Sequence, residues 1–213
     1  MKGQNVFIKI LKYFLITILS LVFLVYMALN LFVKSKEVKV DKSKLINDIT
    51  ISLSDEQIKI ACLALYNHVN PEFHNYFFLI NDAFSTRNNI ALITANIYIG
   101  KYYDIRTLGN SSIEYQIIDL ATKRYVMKNI DYSLCYNYVF SNTYFGNQKY
   151  GLQNASEFYY SKNYKELTTK EFISLCLLIS NPYMYNFLEE ENKIRCEEKV
   201  NEIYLRTKSI SCS

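Results

Sequence analysis

The sequence predicts a mainly α domain standing behind one N-terminal transmembrane helix, and three observations carry that prediction. Only 5 glycines and 2 prolines occur in 213 residues, too few turn formers for a sandwich or barrel. An uncharged run from Tyr13 to Val33 is long enough to cross a hydrocarbon core. Three times, at Ser54, Ser111 and Thr168, a hydroxyl residue is followed three positions on by Gln or Glu, the reciprocal pattern that caps a helix start.

Taken in order, residues 1–12 form a short cytoplasmic N-terminus and 13–33 the membrane span. The apolar run is too long for a cleaved leader, and no small-residue cleavage site follows it. Lys2, Lys9 and Lys12 precede the span while Lys34, Lys36 and Lys39 follow it, so flanking charge barely orients it. Residues 34–46 read as a charged juxtamembrane linker, 47–206 as a single domain, and 207–213 as a tail. The box at Ser54 opens a helix with Ile58, Ala61, Cys62, Leu65 and Tyr66 on one face, ended by Pro71. Asn81-Asp82 is expected to open a helix through about Ile99. The box at Ser111 precedes a stripe of Ile113, Ile117, Leu120 and Ala121, and that at Thr168 starts a helix stopped by Pro182. A last helix places Ile194, Val200, Ile203 and Tyr204 at helical spacing. No internal repeat or low-complexity tract interrupts this order.

The five cysteines show no CxxC or paired spacing, so a metal site is not indicated. Cys62 and Cys176 fall in apolar helical runs, where a thiol behaves as a small hydrophobe. A net charge of +4 suits an acidic or phosphate-bearing ligand, but the basic residues are too dispersed for a nucleic-acid partner.

The densest signal lies in 144–186. Tyr144-Phe145-Gly146, Gly151, Ala155-Ser156, Tyr159-Tyr160, Lys162, Leu167-Thr168, Glu171, the run Leu175 to Ile179 and Pro182 follow one another in order. This series resembles the C-terminal half of the peptidoglycan glycosyltransferase (transglycosylase) domain of class A penicillin-binding proteins and monofunctional biosynthetic transglycosylases. Upstream, Gly109-Asn110-Ser111-Ser112-Ile113-Glu114-Tyr115-Gln116 is similar to the family's Gly-Gly-Ser-Thr-Ile-Thr-Gln-Gln. Arg195 and Lys199 correspond to its closing basic helix.

The resemblance implies a lysozyme-like α fold and a groove near the bacterial plasma membrane, with the domain on the extracytoplasmic side. The implied substrate is lipid II or a growing glycan strand, and other cell-wall synthesis proteins are implied partners. A glutamate in a Glu-Asp-x-x-Phe motif acts as general base in such enzymes, while basic residues and a divalent metal such as Mg neutralise the departing diphosphate. In this sequence the corresponding stretch is Val69-Asn70-Pro71-Glu72-Phe73, so Val69 occupies the base's position. Lys123-Arg124-Tyr125-Val126-Met127 matches the family's Arg-Lys-x-x-Glu, with Met127 in place of the second glutamate. Valine and methionine accept no proton, which points to weak or lost transfer. Glu72 and Glu114 are the substitute acids to weigh. Glu72 also reads as a solvated loop acid and Glu114 as a capping-box partner; His68 and His74 flank the motif without a visible partner.

The binding residues implied by the resemblance are Ser111, Ser112, Gln116, Lys123, Arg124, Gly146, Gly151, Arg195 and Lys199. Ser111 and Ser112 serve either as anion ligands at a helix start or simply as caps. Lys123-Arg124 are either phosphate ligands or a solvated face, and the two glycines serve by default as turn residues. The two functions to compare are a glycosyltransferase-like protein with weak or lost activity and a non-enzymatic membrane scaffold for a cell-wall partner.

Overall fold

The computed structural model describes residues 2–67, 89–103 and 112–211. Val69, Glu72, Ser111, the flanking His68 and His74, the expected start at Asn81-Asp82 and Cys212 lie outside them. Nine α-helices, one short 3-10 helix (Tyr164–Glu166) and an isolated antiparallel bridge between Tyr144 and Tyr150 make up the regular structure of the described residues.

Helix α1 (Lys2–Ser35) carries the uncharged run, and its stretch Lys12–Ser35 is long and apolar enough to cross a bilayer. Those 24 residues extend about 36 Å at 1.5 Å per residue. Their side chains stay largely outside the protein core, as Leu24 (64 % exposed) and Leu31 (64 %) illustrate.

The segment read as a linker enters the core instead of spanning solvent. Val38, Val40 and Leu45 are buried, the last on α2 (Lys42–Asn47), capped by Asp41. The Val38 amide donates to Thr122 Oγ1 at 3.1 Å and the Asp41 amide to Tyr98 Oη at 3.0 Å. Apolar alternation within the lysine-rich stretch supplies the burial, and those bonds satisfy its backbone.

Helix α3 (Asp55–Tyr66) opens with the expected box. Ser54 Oγ accepts from the Gln57 amide, and Gln57 Oε1 accepts from the Ser54 amide. Ile58, Ala61 and Cys62 are buried, with Leu65 and Tyr66 packed at the edge of the core. Helix α4 (Asn89–Tyr102) packs against α5 (Ser112–Asn129) and α6 (Tyr132–Asn142), and α5 also meets α1.

The stripe expected on α5 is rotated. Ile113 is 68 % exposed, while Ile118, Ala121, Thr122 and Val126 are buried. The reason is that α5 lies between α4 and α1, so the buried arc is set by two neighbours rather than by its own apolar residues.

The C-terminal half wraps α8 (Thr169–Ser180), whose residues Phe172 to Leu178 are all buried. A helix apolar all round belongs at the centre of a core. It contacts α3, α7 (Leu152–Tyr160) and α9 (Glu190–Ser211). Its start carries the expected box, with Thr168 Oγ1 and Glu171 satisfying each other's amides. On α9 the buried positions are Cys196, Val200 and Ile203, whereas Ile194 is 68 % exposed; the small thiol takes the core place assigned to isoleucine. Cys62, Cys135, Cys176 and Cys196 are all buried thiols outside any disulfide.

Candidate functional site

Helix α5 faces α1 with Glu114, Ala121, Arg124 and Lys128, residues spaced three, four or seven apart and so on one side. Glu114 Oε1 receives the Lys36 ammonium at 2.9 Å, each side chain about one-third exposed. Nearly three turns further along α5, Arg124 Nη1 donates to Asn30 Oδ1 at 3.2 Å. Between these helices lies a groove of about 430 Å³, with Lys34, Arg124 and Lys128 on its polar rim and Met27 and Leu31 on its apolar wall.

Lys123 and Arg124, paired in sequence, part company in space. Lys123 is 1 % exposed and points into the core, while Arg124 borders the groove. Met127, at the position that the resemblance gives to the second glutamate, packs half-buried against the core. Gln116 is exposed, and Ser112 is the first residue of α5.

The 144–151 turn is built tightly. The Phe145 amide donates to the Lys149 carbonyl, the Lys149 amide to that of Gly146, and the Gly151 amide to that of Thr143, each at 2.9 Å. Tyr159 Oη donates to the Phe145 carbonyl at 2.9 Å and receives Asn147 Nδ2 at 2.9 Å, stapling the turn to α7. Gly146 and Gly151 have φ of 84° and 80°, and a Cβ at Gly151 would stand 2.7 Å from the Ser141 carbonyl oxygen. Both glycines are therefore demanded by the backbone.

Lys162 and Glu171 form an ion pair at 2.7 Å that ties the end of α7 to the start of α8. Burial opposes the Glu171 charge, but Lys162 and the Thr168 amide outweigh it and hold the carboxyl below its ordinary range. Arg195 is exposed on α9. Lys199 pairs with Glu202 at 2.7 Å and borders a separate cavity of about 330 Å³ beside the end of α3. The described residues expected to bind thus fall on α5, where Lys123 enters the core, in the 144–151 turn and on α9, with Arg124 and Lys199 at different cavities.

Sequence reasoning missed Asn30, Lys34 and Lys128. Their signal was the four-residue spacing of Asn30 with Lys34 and of Arg124 with Lys128, legible only once α1 and α5 are known to touch. It also missed Asp119, whose carboxyl burial pushes up to about 6. With the Asn96 amide nitrogen turned toward it, that nitrogen stands 2.9 and 3.1 Å from the two Asp119 oxygens, an inter-helix contact between α4 and α5. Among the described residues, no three or more His, Cys, Asp or Glu side chains come together as a group that could hold a metal ion.

Compared with known proteins, the chain finds no match among curated sequences. The family model for transglycosylase matches residues 136–207, from the middle of α6 into α9. The all-helical architecture agrees with the lysozyme-like domain of that family. This match is partial, and it supports the chain as a member of the transglycosylase family.

Proposed function

We propose that the chain is a membrane-anchored, peptidoglycan glycosyltransferase-like protein that engages lipid II or a glycan strand and turns it over weakly or not at all. Its domain stands on the extracytoplasmic side of the bacterial plasma membrane. The observation that carries this reading is Met127, half-buried against the core where the family pattern has a carboxylate. A thioether offers neither a charge nor a proton-accepting oxygen at that second acid position. Val69 repeats the loss at the first acid position. Glu114, the described substitute, is engaged by Lys36 at 2.9 Å.

The test is lipid II polymerisation by the full chain in vesicles, alongside lipid II binding. Binding without glycan strands is the expected result, and Val69→Glu is expected to gain turnover. Strands made by the wild type and lost in Glu72→Gln or Glu114→Gln would overturn it. A second reading, a non-enzymatic scaffold, is favoured by exposed apolar side chains after Pro182: Tyr183 (85 %), Leu188 (55 %) and Ile194 (68 %). Absence of both binding and turnover would select it.

A further inference from the structure

We propose that the groove between α1 and α5 holds the headgroup of an anionic phospholipid and so fastens the helical domain to the bilayer surface. This does not depend on transferase chemistry. The first observation is position. The apolar stretch of α1 ends at Ser35, and its last two turns form one wall of the groove. From Met27 to Lys34 that wall rises about 10 Å at 1.5 Å per residue, from acyl-chain depth to headgroup depth.

The second observation is the order of chemistry along that rise. Met27 and Leu31, 44 % and 64 % exposed, stand at the deep end where an acyl chain lies. Lys34, Arg124 and Lys128 converge at the shallow end, and among the described residues Glu37 is the one acid lining the groove. Three cations against one anion suit a phosphodiester, and zwitterionic headgroups gain less from that balance. Asn30 orients the Arg124 guanidinium from the opposite wall at 3.2 Å. Arginine binds phosphate oxygens through a planar fork, while the lysines reach toward the surface along flexible stems. The lipid is the chosen occupant because α1 stands in the bilayer, where phospholipid surrounds the groove at all times.

The experiment extracts the full chain gently from vesicles of mixed phosphatidylglycerol and phosphatidylcholine and weighs the retained lipids by native mass spectrometry. Phosphatidylglycerol is expected in clear excess over its share of the vesicles. With about 1 kcal/mol per basic residue near an anionic surface, Arg124→Gln and Lys128→Gln each lower its retention about fivefold, while Arg124→Lys largely preserves it. Lys128 is exposed, so its variant keeps the fold and the test stands even where Arg124→Gln fails to. Equal retention of the two lipids, or retention untouched by Lys128→Gln, overturns the proposal. Displacement of phosphatidylglycerol by an added polyprenyl diphosphate overturns it as well, because the groove would then belong to the lipid-linked substrate.

Discussion

Lys36 and Glu114, 78 positions apart in sequence, meet at 2.9 Å and join the end of α1 to the start of α5. Each side chain is about one-third exposed, so water and salt screen the pair. Glu114→Gln is expected to lower the unfolding free energy by about 0.5–1 kcal/mol, with the difference shrinking at high salt. Denaturant unfolding of the full chain in detergent at two salt concentrations checks it. A salt-insensitive loss would mean that Glu114 serves α5 chiefly as a capping partner instead.

Gly151 and Gly146 differ in what surrounds them. At Gly151 an added Cβ meets the Ser141 carbonyl at 2.7 Å, a backbone atom that cannot step aside. At Gly146 the nearest atom is Tyr159 Oη at 3.0 Å, the tip of a side chain. Both substitutions to alanine incur the cost of a positive φ, about 1–2 kcal/mol. Gly151→Ala is expected to be the more destabilising, by about 2 kcal/mol or more in total. Thermal unfolding of the two variants side by side decides the order.

Asp119 gives the fold a pH dependence. Burial pushes its carboxyl up from 3.8 to about 6, so between those values the folded chain holds a proton that the unfolded chain has released. Stability therefore falls as pH rises from about 4 to about 6 and levels off above. The two contacts from the Asn96 amide oppose this by favouring the charged carboxylate. Asp119→Asn is expected to flatten the profile and Asn96→Ala to steepen it, read from melting temperature against pH. A profile unchanged by Asp119→Asn would show that the carboxyl titrates alike in both states.

What could be read from the sequence follows how local the determinant is. The boxes at Ser54 and Thr168 are complete within four residues, and both form as expected. The uncharged run of α1 and the order of 144–182 are likewise properties of contiguous chain. Burial on α5 and α9 was misread at Ile113 and Ile194, because which arc is covered depends on neighbours distant in sequence. The packing of Val38 and Val40 was hidden for the same reason, with the lysines around them masking two apolar residues. The groove beside α1 was least legible of all, since its two walls come from residues about ninety positions apart.

Lys123 and Arg124 make the sharpest separation between packing and binding. Adjacent residues on a helix point about 100° apart, so one cation of the pair enters the core and the other reaches the groove. Lys123 is 1 % exposed, and its four-carbon stem fills space that alanine would leave empty. Lys123→Ala is therefore expected to cost about 2–4 kcal/mol of stability. Arg124→Ala leaves the core intact and is expected to cost about 1 kcal/mol or less, chiefly through the bond to Asn30. Anionic-lipid retention should reverse that ranking, falling in Arg124→Ala and holding in whatever fraction of Lys123→Ala remains folded. Parallel melting curves and native mass spectra of the two variants make the comparison; equal losses in both measurements would mean that the two cations act as one unit.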